Sequence, residues 1–148
     1  MVCLGNICRS PLAEGVLQSK LNPANFKVDS CGTGSYHIGK APDPRSVKVA
    51  RSNGIDISLQ KAAQFHTDFF DEYDFIFTMD TENYHNIVDL ATSDKQRSKA
   101  SLLLKTLDDP TLTEVPDPYY GEEQGFERVF DLIDKACTKI AHDLQPKI

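Results

Sequence analysis

Val2-Cys3-Leu4-Gly5-Asn6-Ile7-Cys8-Arg9-Ser10-Pro11 is the stretch whose reading decides the fold of this chain. Ser10 is a good helix N-cap and Pro11 suits a first helical turn, so a helix starts here. Leu12, Ala13, Val16, Leu17 and Leu21 then recur at helical spacing and give it one apolar face. Asn22-Pro23 ends it. What precedes the helix is a Cys-x5-Arg-Ser loop running into its N-terminus. Backbone N–H groups at such a start are unsatisfied, and the helix dipole favours negative charge. Gly5 lets the backbone curl into an N–H-lined nest, and Asn6 tolerates left-handed backbone. Arg9 offers a planar fork for two phosphate oxygens. The same field favours the thiolate of Cys3, and a thiolate in a phosphate cradle can attack phosphorus. The Ser10 hydroxyl can steady that sulfur as well as cap the helix.

Outward from this loop, extended and helical patterns alternate. Phe26-Lys27-Val28 reads as a short strand, and a glycine-rich loop runs from Gly32 to Pro44. Pro44 to Asn53 is predicted helical, stopped at Gly54. Phe75-Ile76-Phe77 is a buried strand, and Asp80 or Thr81 caps a helix reaching Leu90. Leu102-Leu103-Leu104 reads as another buried strand. Asp108 to Gly125 is a long loop with three prolines. Phe126, Val129, Phe130, Ile133, Ala136, Cys137, Ile140 and Leu144 mark one face of a last helix. Such alternation predicts an α/β chain with a mostly parallel sheet and helices on both faces. Ligands of such sheets bind at the carboxyl ends of the strands, which is where the Cys3 loop falls.

The 148 residues are expected to form one domain, residues 1–148. A net charge of -6 argues against nucleic acid or an anionic membrane as the main partner. Residues 1–60 hold seven Lys/Arg against four Asp/Glu, and residues 61–148 hold nine against eighteen. An anion-handling site is therefore expected early in the chain, although a solvated acidic face gives the same skew. Cys3, Cys8, Cys31 and Cys137 show no zinc-ligand spacing. With no secretory signal and no long apolar run, reduced thiols in the cytoplasm are expected; two disulfides in a secreted protein are the alternative. No metal or other cofactor is required, since Arg9 and loop amides can carry the charge. His66, His85 and His142 read as surface histidines.

Val2 to Pro11, followed by Ala13-Glu14, resembles the signature of the low-molecular-weight protein tyrosine phosphatases. Asp117-Pro118-Tyr119-Tyr120-Gly121 is similar to their second motif. Val28-Asp29-Ser30 followed by Gly34-Ser35-Tyr36-His37-Ile38-Gly39 is a weaker third match. The resemblance implies a three-layer sandwich around a central, mostly parallel four-stranded sheet, with the phosphate loop after the first strand. It implies Cys3 as nucleophile, Arg9 as phosphoryl ligand and Asp117 as general acid, then base. Amides of Leu4, Gly5, Asn6, Ile7, Cys8 and Ser10 would bind the phosphoryl oxygens. Tyr36, His37, Tyr119 and Tyr120 would wall the cleft, and aromatic walls suit a phenyl ring. Asn6 and Ser30 would prop the loop, and Cys8 would be a second thiol able to capture oxidised Cys3. The implied partner is a phosphotyrosine-containing protein or peptide, met by a monomer or weak dimer.

Three places depart from the family pattern. A full strand is implied ahead of Cys3, where this sequence has Met1 and Val2; so short a strand is expected to leave backbone edges and apolar surface open. Gln60 stands where many relatives have histidine, and Ala63 where they have arginine. His37 replaces an acidic residue of some relatives and makes the rim friendlier to anionic peptides. The competing readings are an arsenate reductase on the same scaffold, which needs cysteines that residues 78–100 lack, and a phosphotyrosine-binding module without turnover. A flavodoxin-like binding protein is a weaker third, since nothing suggests a flavin.

Overall fold

Four parallel strands make the centre of the computed structural model, which describes residues 1–145. They are β1 (Val2–Cys3), β2 (Cys31–Gly32), β3 (Ile76–Thr78) and β4 (Ala100–Leu102), in the order β2-β1-β3-β4. Val2 pairs with Cys31 on one side and with Thr78 on the other. The chain leaves β1 towards β2, then crosses to β3 on the opposite side. The loop after β1 therefore opens at the point where strand order reverses, the favoured ligand crevice of such sheets.

Alternation of side chains along β1 sorts the core into two. Cys3 joins the larger cluster, built from α1 (Arg9–Lys20), α2 (Pro44–Ser52) and α6 (Glu123–Leu144). Val2 faces the smaller one, with Phe70 of α3 (Phe69–Glu72) and Ile87 of α4 (Thr81–Val88). The sheet thus lies between two helical layers. The α6 stripe is buried as its spacing predicts, with Leu132 and Ala141 added and Leu144 half-buried. Each large apolar side chain removed from water this way contributes about 1.5–3 kcal/mol. Cys137 on this face reaches the Ala13 carbonyl of α1, so α6 clamps the helix that carries the site.

Several elements differ from expectation. Phe26–Val28 forms no strand: the Val28 amide donates to the Gln18 side chain, and β2 begins only at Cys31. The Leu102–Leu104 run splits, since β4 ends at Leu102 and a 3-10 helix takes Leu103–Leu107. The short helices α3 and α5 (Asp94–Ser98) had no apolar periodicity to announce them. Asp80 does cap α4, and Gly54 ends α2 at φ +78°. A groove of about 960 Å³ opens at the amino ends of the strands, away from the phosphate loop, lined by Met1, Leu21, Phe26, Phe75 and Phe77 among others. No helix among the described residues is long and apolar enough to cross a membrane.

Candidate active site

The loop between β1 and α1 is shaped by what its carbonyls bind. Cys3 and Leu4 carbonyls accept from the Thr33 and Gly34 amides, both at 2.9 Å. The Ile7 carbonyl accepts from the Asp43 amide at 2.8 Å, and the Cys8 carbonyl from the Ser46 hydroxyl at 3.2 Å. Outward-turned carbonyls leave amides free on the inner side, as an anion nest requires. Gly32 allows this approach, because a Cβ there would stand 2.6 Å from the Leu4 carbonyl oxygen. The left-handed residue of the loop is Asn6, at φ +56°. Gly5 instead makes room for His37, whose ring would lie 3.0 Å from a Cβ at that position.

Cys3 sits 3% exposed at the floor of the loop. Its sulfur accepts from the Asn6 amide at 3.2 Å and lies 2.9 Å from the Ser10 hydroxyl. The direction of the second bond follows from its neighbours. The Ala63 amide donates to Asn6 Oδ1 at 3.0 Å, which fixes the side-chain amide orientation. Asn6 Nδ2 then donates to Ser10 Oγ at 2.7 Å and to Ser30 Oγ at 2.9 Å. The Ser30 hydroxyl in turn donates to Glu14 Oε1 at 2.9 Å. The Ser10 proton is left for Cys3 Sγ, with the Cys31 carbonyl a longer choice at 3.4 Å. Asn6 and Ser30 are thus bonded to each other beneath the loop. Ala63 contributes through its backbone, which no side-chain pattern could announce. Gln60 does not enter this network; it donates to the Pro11 carbonyl at 3.0 Å, in the first turn of α1.

Arg9 is 3% exposed and fixed along one edge. Its Nη1 donates to Asp80 Oδ2 at 2.6 Å and to the Val115 carbonyl at 3.0 Å. Burial works against the Arg9 cation, but the Cys3 sulfur and the Asp80 and Asp117 carboxylates outweigh it and hold the pKa above its usual range. Asp80 was legible only as a helix cap. It does both jobs: Oδ1 accepts the Asn83 amide at 2.8 Å while Oδ2 orients Arg9. Asp117 comes from the far loop, with Oδ2 3.6 Å from Arg9 Nη2 and Oδ1 accepting the Tyr119 amide at 3.0 Å. A carboxyl there can exchange a proton with a group held by the loop.

Four rings form the rim. His37 stands between Tyr36 and Tyr119, with centroids 6.5 and 6.4 Å away, and Tyr120 meets Tyr119 edge-on at 4.8 Å. Tyr120 is 96% exposed and takes no part in the core. Cys8 is buried behind the loop. Burial first, then the charges of Asp43, Cys3 and Asp117, push its thiol up to about 12. Leu4 is exposed at the mouth and Ile7 half-buried. Every residue expected at the site lies on this one end of the sheet or in the network beneath it.

A buried sulfur served by two donors, at the switch point of a parallel sheet and faced by a carboxyl on a second loop, is an arrangement suited to cysteine-dependent phosphoryl chemistry. Comparison with known proteins narrows this class. The family model described as low molecular weight phosphotyrosine protein phosphatase matches residues 1–148. The low molecular weight phosphotyrosine protein phosphatase of Saccharomyces cerevisiae is 39% identical over 141 residues, covering 89% of this chain and 85% of that protein. A crystal structure of the protein tyrosine phosphatase from Entamoeba histolytica, with Hepes in its active site, matches with a TM-score of 0.89 at 37% identity, covering 97% and 93% of the two chains. Vibrio vulnificus Wzb in complex with benzylphosphonate matches with a TM-score of 0.86 at 32% identity, covering 97% and 95%. The chain belongs to the low molecular weight phosphotyrosine protein phosphatase family, and it is a protein tyrosine phosphatase.

Proposed function

We propose that residues 1–148 act as one phosphatase domain hydrolysing phosphotyrosine on proteins or peptides, in two steps. The Cys3 thiolate attacks phosphorus and the phosphorus–oxygen bond breaks. Asp117 gives its proton to the departing tyrosine phenolate, leaving a cysteinyl-phosphate. The Asp117 carboxylate then takes a proton from water, the hydroxide attacks phosphorus, and the sulfur–phosphorus bond breaks to release inorganic phosphate. Arg9 and the amides of Leu4 to Ser10 hold the phosphoryl oxygens throughout, and the Ser10 hydroxyl steadies the sulfur as it leaves.

The observation that carries this reading is the Asn6–Ser10–Cys3 network, which directs two donors at one buried sulfur beside Arg9. The aromatic rim supports an aryl ester: a phenyl ring spans from rim to sulfur, whereas a short phosphoserine would not reach it while filling the cleft. The benzylphosphonate held by the Vibrio relative has that same ring-and-phosphorus chemistry. Four free, buried cysteines suit a reducing compartment such as the cytoplasm. One chain supplies every proposed group, so a monomer suffices.

The test is steady-state phosphate release from a phosphotyrosine peptide and its phosphoserine counterpart, without added metal. Selective turnover of the first is expected. A folded sample that binds the phosphotyrosine peptide without releasing phosphate would replace this reading with a binding module.

A further inference from the structure

The loop that carries Asp117 is exposed, and its attachment to the rest of the fold is narrow. Apart from the Gly125 amide of α6 on the Glu122 carbonyl at its end, the hydrogen bonds that tie residues 116–122 to another element, among the described residues, both come from Arg45. Arg45 Nη2 donates to the Tyr119 carbonyl at 2.8 Å, and Nη1 to the Gly121 carbonyl at 3.1 Å. The other edge of the guanidinium lies along the Asp43 carboxylate, with Nε 3.0 Å from Oδ1 and Nη2 2.9 Å from Oδ2. Its face covers the Phe126 ring of α6, 4.5 Å from the centroid. A planar group bonded on two edges and stacked on its face has little freedom left.

Asp43 is itself anchored twice. It caps α2 by accepting the Arg45 amide at 2.9 Å, and its own amide donates to the Ile7 carbonyl of the phosphate loop at 2.8 Å. From Tyr119 the line continues to Asp117, through the Tyr119 amide on Asp117 Oδ1. One unbroken set of bonds therefore runs from the back of the phosphate loop, through Asp43 and Arg45, to the carboxyl that faces its front.

We propose that Arg45 is the positioning residue for Asp117, setting where that carboxyl stands relative to the phosphoryl group held over Cys3. The inference rests on Asp117 as proton donor. Arg45 touches neither substrate nor reacting atoms. Its consequence is specific: without it the loop samples other positions, and proton delivery suffers while phosphate binding and sulfur attack do not. Lysine does not replace it, because a single ammonium cannot bond two carbonyls and a carboxylate in one plane.

The experiment compares the chain, Asp117→Asn, Arg45→Met and the double variant on aryl phosphates graded by leaving-group pKa. Methionine keeps apolar cover on Phe126. Arg45→Met is expected to lose about 10- to 100-fold in kcat on the poorest leaving group and less than about threefold on the best. The double variant should lose no more than Asp117→Asn alone, since both act through one carboxyl. Inhibition by inorganic phosphate should stay within about threefold, because the nest is intact. An Arg45→Met loss equal across the series, or a weakened phosphate Ki, overturns the proposal in favour of a structural role. An Asp117→Asn variant with no leaving-group dependence overturns Asp117 as acid instead, a different result that Asp117→Asn alone reveals.

Discussion

The phosphate loop and the loop that carries Asp117, the proposed acid, face each other across one cleft and are built in opposite ways. Cys3, Asn6, Arg9 and Ser10 are buried, and four carbonyls of their loop are tied down from behind. Asp117, Tyr119 and Tyr120 are exposed, on a segment bonded to α2 through Arg45, with Arg9 3.6 Å from the Asp117 carboxylate. The two halves of the reaction want this contrast. Charge on phosphorus oxygens is stabilised best by dipoles that are already oriented and shielded from water. A proton donor and a ring-binding wall must let substrate in and let tyrosine and phosphate out.

The sharpest break of that contrast is Cys3→Ser. Turnover should fall below detection while inorganic phosphate still inhibits, or still protects the loop from proteolysis, because the nest survives. Loss of both would mean that the sulfur holds the loop together. Asp117→Ala comes next, at about 10²–10³-fold in kcat for phenyl phosphate and far less for esters with good leaving groups. Equal loss across the series would remove it from the acid role.

Within the rigid half, Asn6→Ala removes donors to Ser10 and Ser30 and puts a Cβ-bearing residue without a polar side chain at φ +56°. A stability loss of about 2–3 kcal/mol in urea unfolding is expected, with a drop in kcat. A variant as stable as the parent would show that the network is not what sets the loop. Cys8 sharpens the contrast chemically. With its thiol pushed up to about 12, it should resist iodoacetamide at neutral pH, as peptide mass mapping would read.

The smallest expected effect lies at Asp43. Burial raises its pKa, but the hydrogen bonds from Arg45 pull harder, so the carboxyl is held below its ordinary range. A lowered carboxyl stabilises the fold fully above the unfolded value of about 4 and loses that contribution as pH falls through the folded one. Asp43→Ala should therefore cost about 1 kcal/mol at neutral pH, part of it as a lost helix cap, with the deficit narrowing in acid. A deficit that widened in acid would contradict the sign.

The rigid half was the legible one. Ser10-Pro11 announces the helix and the Cys-x5-Arg spacing announces the nest, because both are local in sequence, although α1 begins at Arg9 with Cys8 and not Ser10 at its N-cap. The stripe of α6 was equally plain. What the sequence concealed depends on partners far along the chain. Asp80 looked like a cap because one of its oxygens is one, and nothing local says that the other meets Arg9, 71 residues earlier. Arg45 sits in an ordinary helix start, 74 residues from Tyr119. The Phe26–Val28 segment has strand chemistry, yet Gln18 takes the Val28 amide that a ladder would use. Three leucines at 102–104 serve a strand end and a 3-10 turn alike, since burial is all that they specify.

The place of β1 between β2 and β3 has a consequence for how the protein comes off the ribosome. The nucleophile loop is translated before everything that shapes it. Its strand needs Cys31 and Thr78 as neighbours, its arginine needs Asp80 and Val115, and the helix behind it needs α6. While residues 10–115 are translated, the cysteine and the arginine lack the partners that set their geometry. The proposed site is complete only when residues 116–144 emerge and close the fold around the loop.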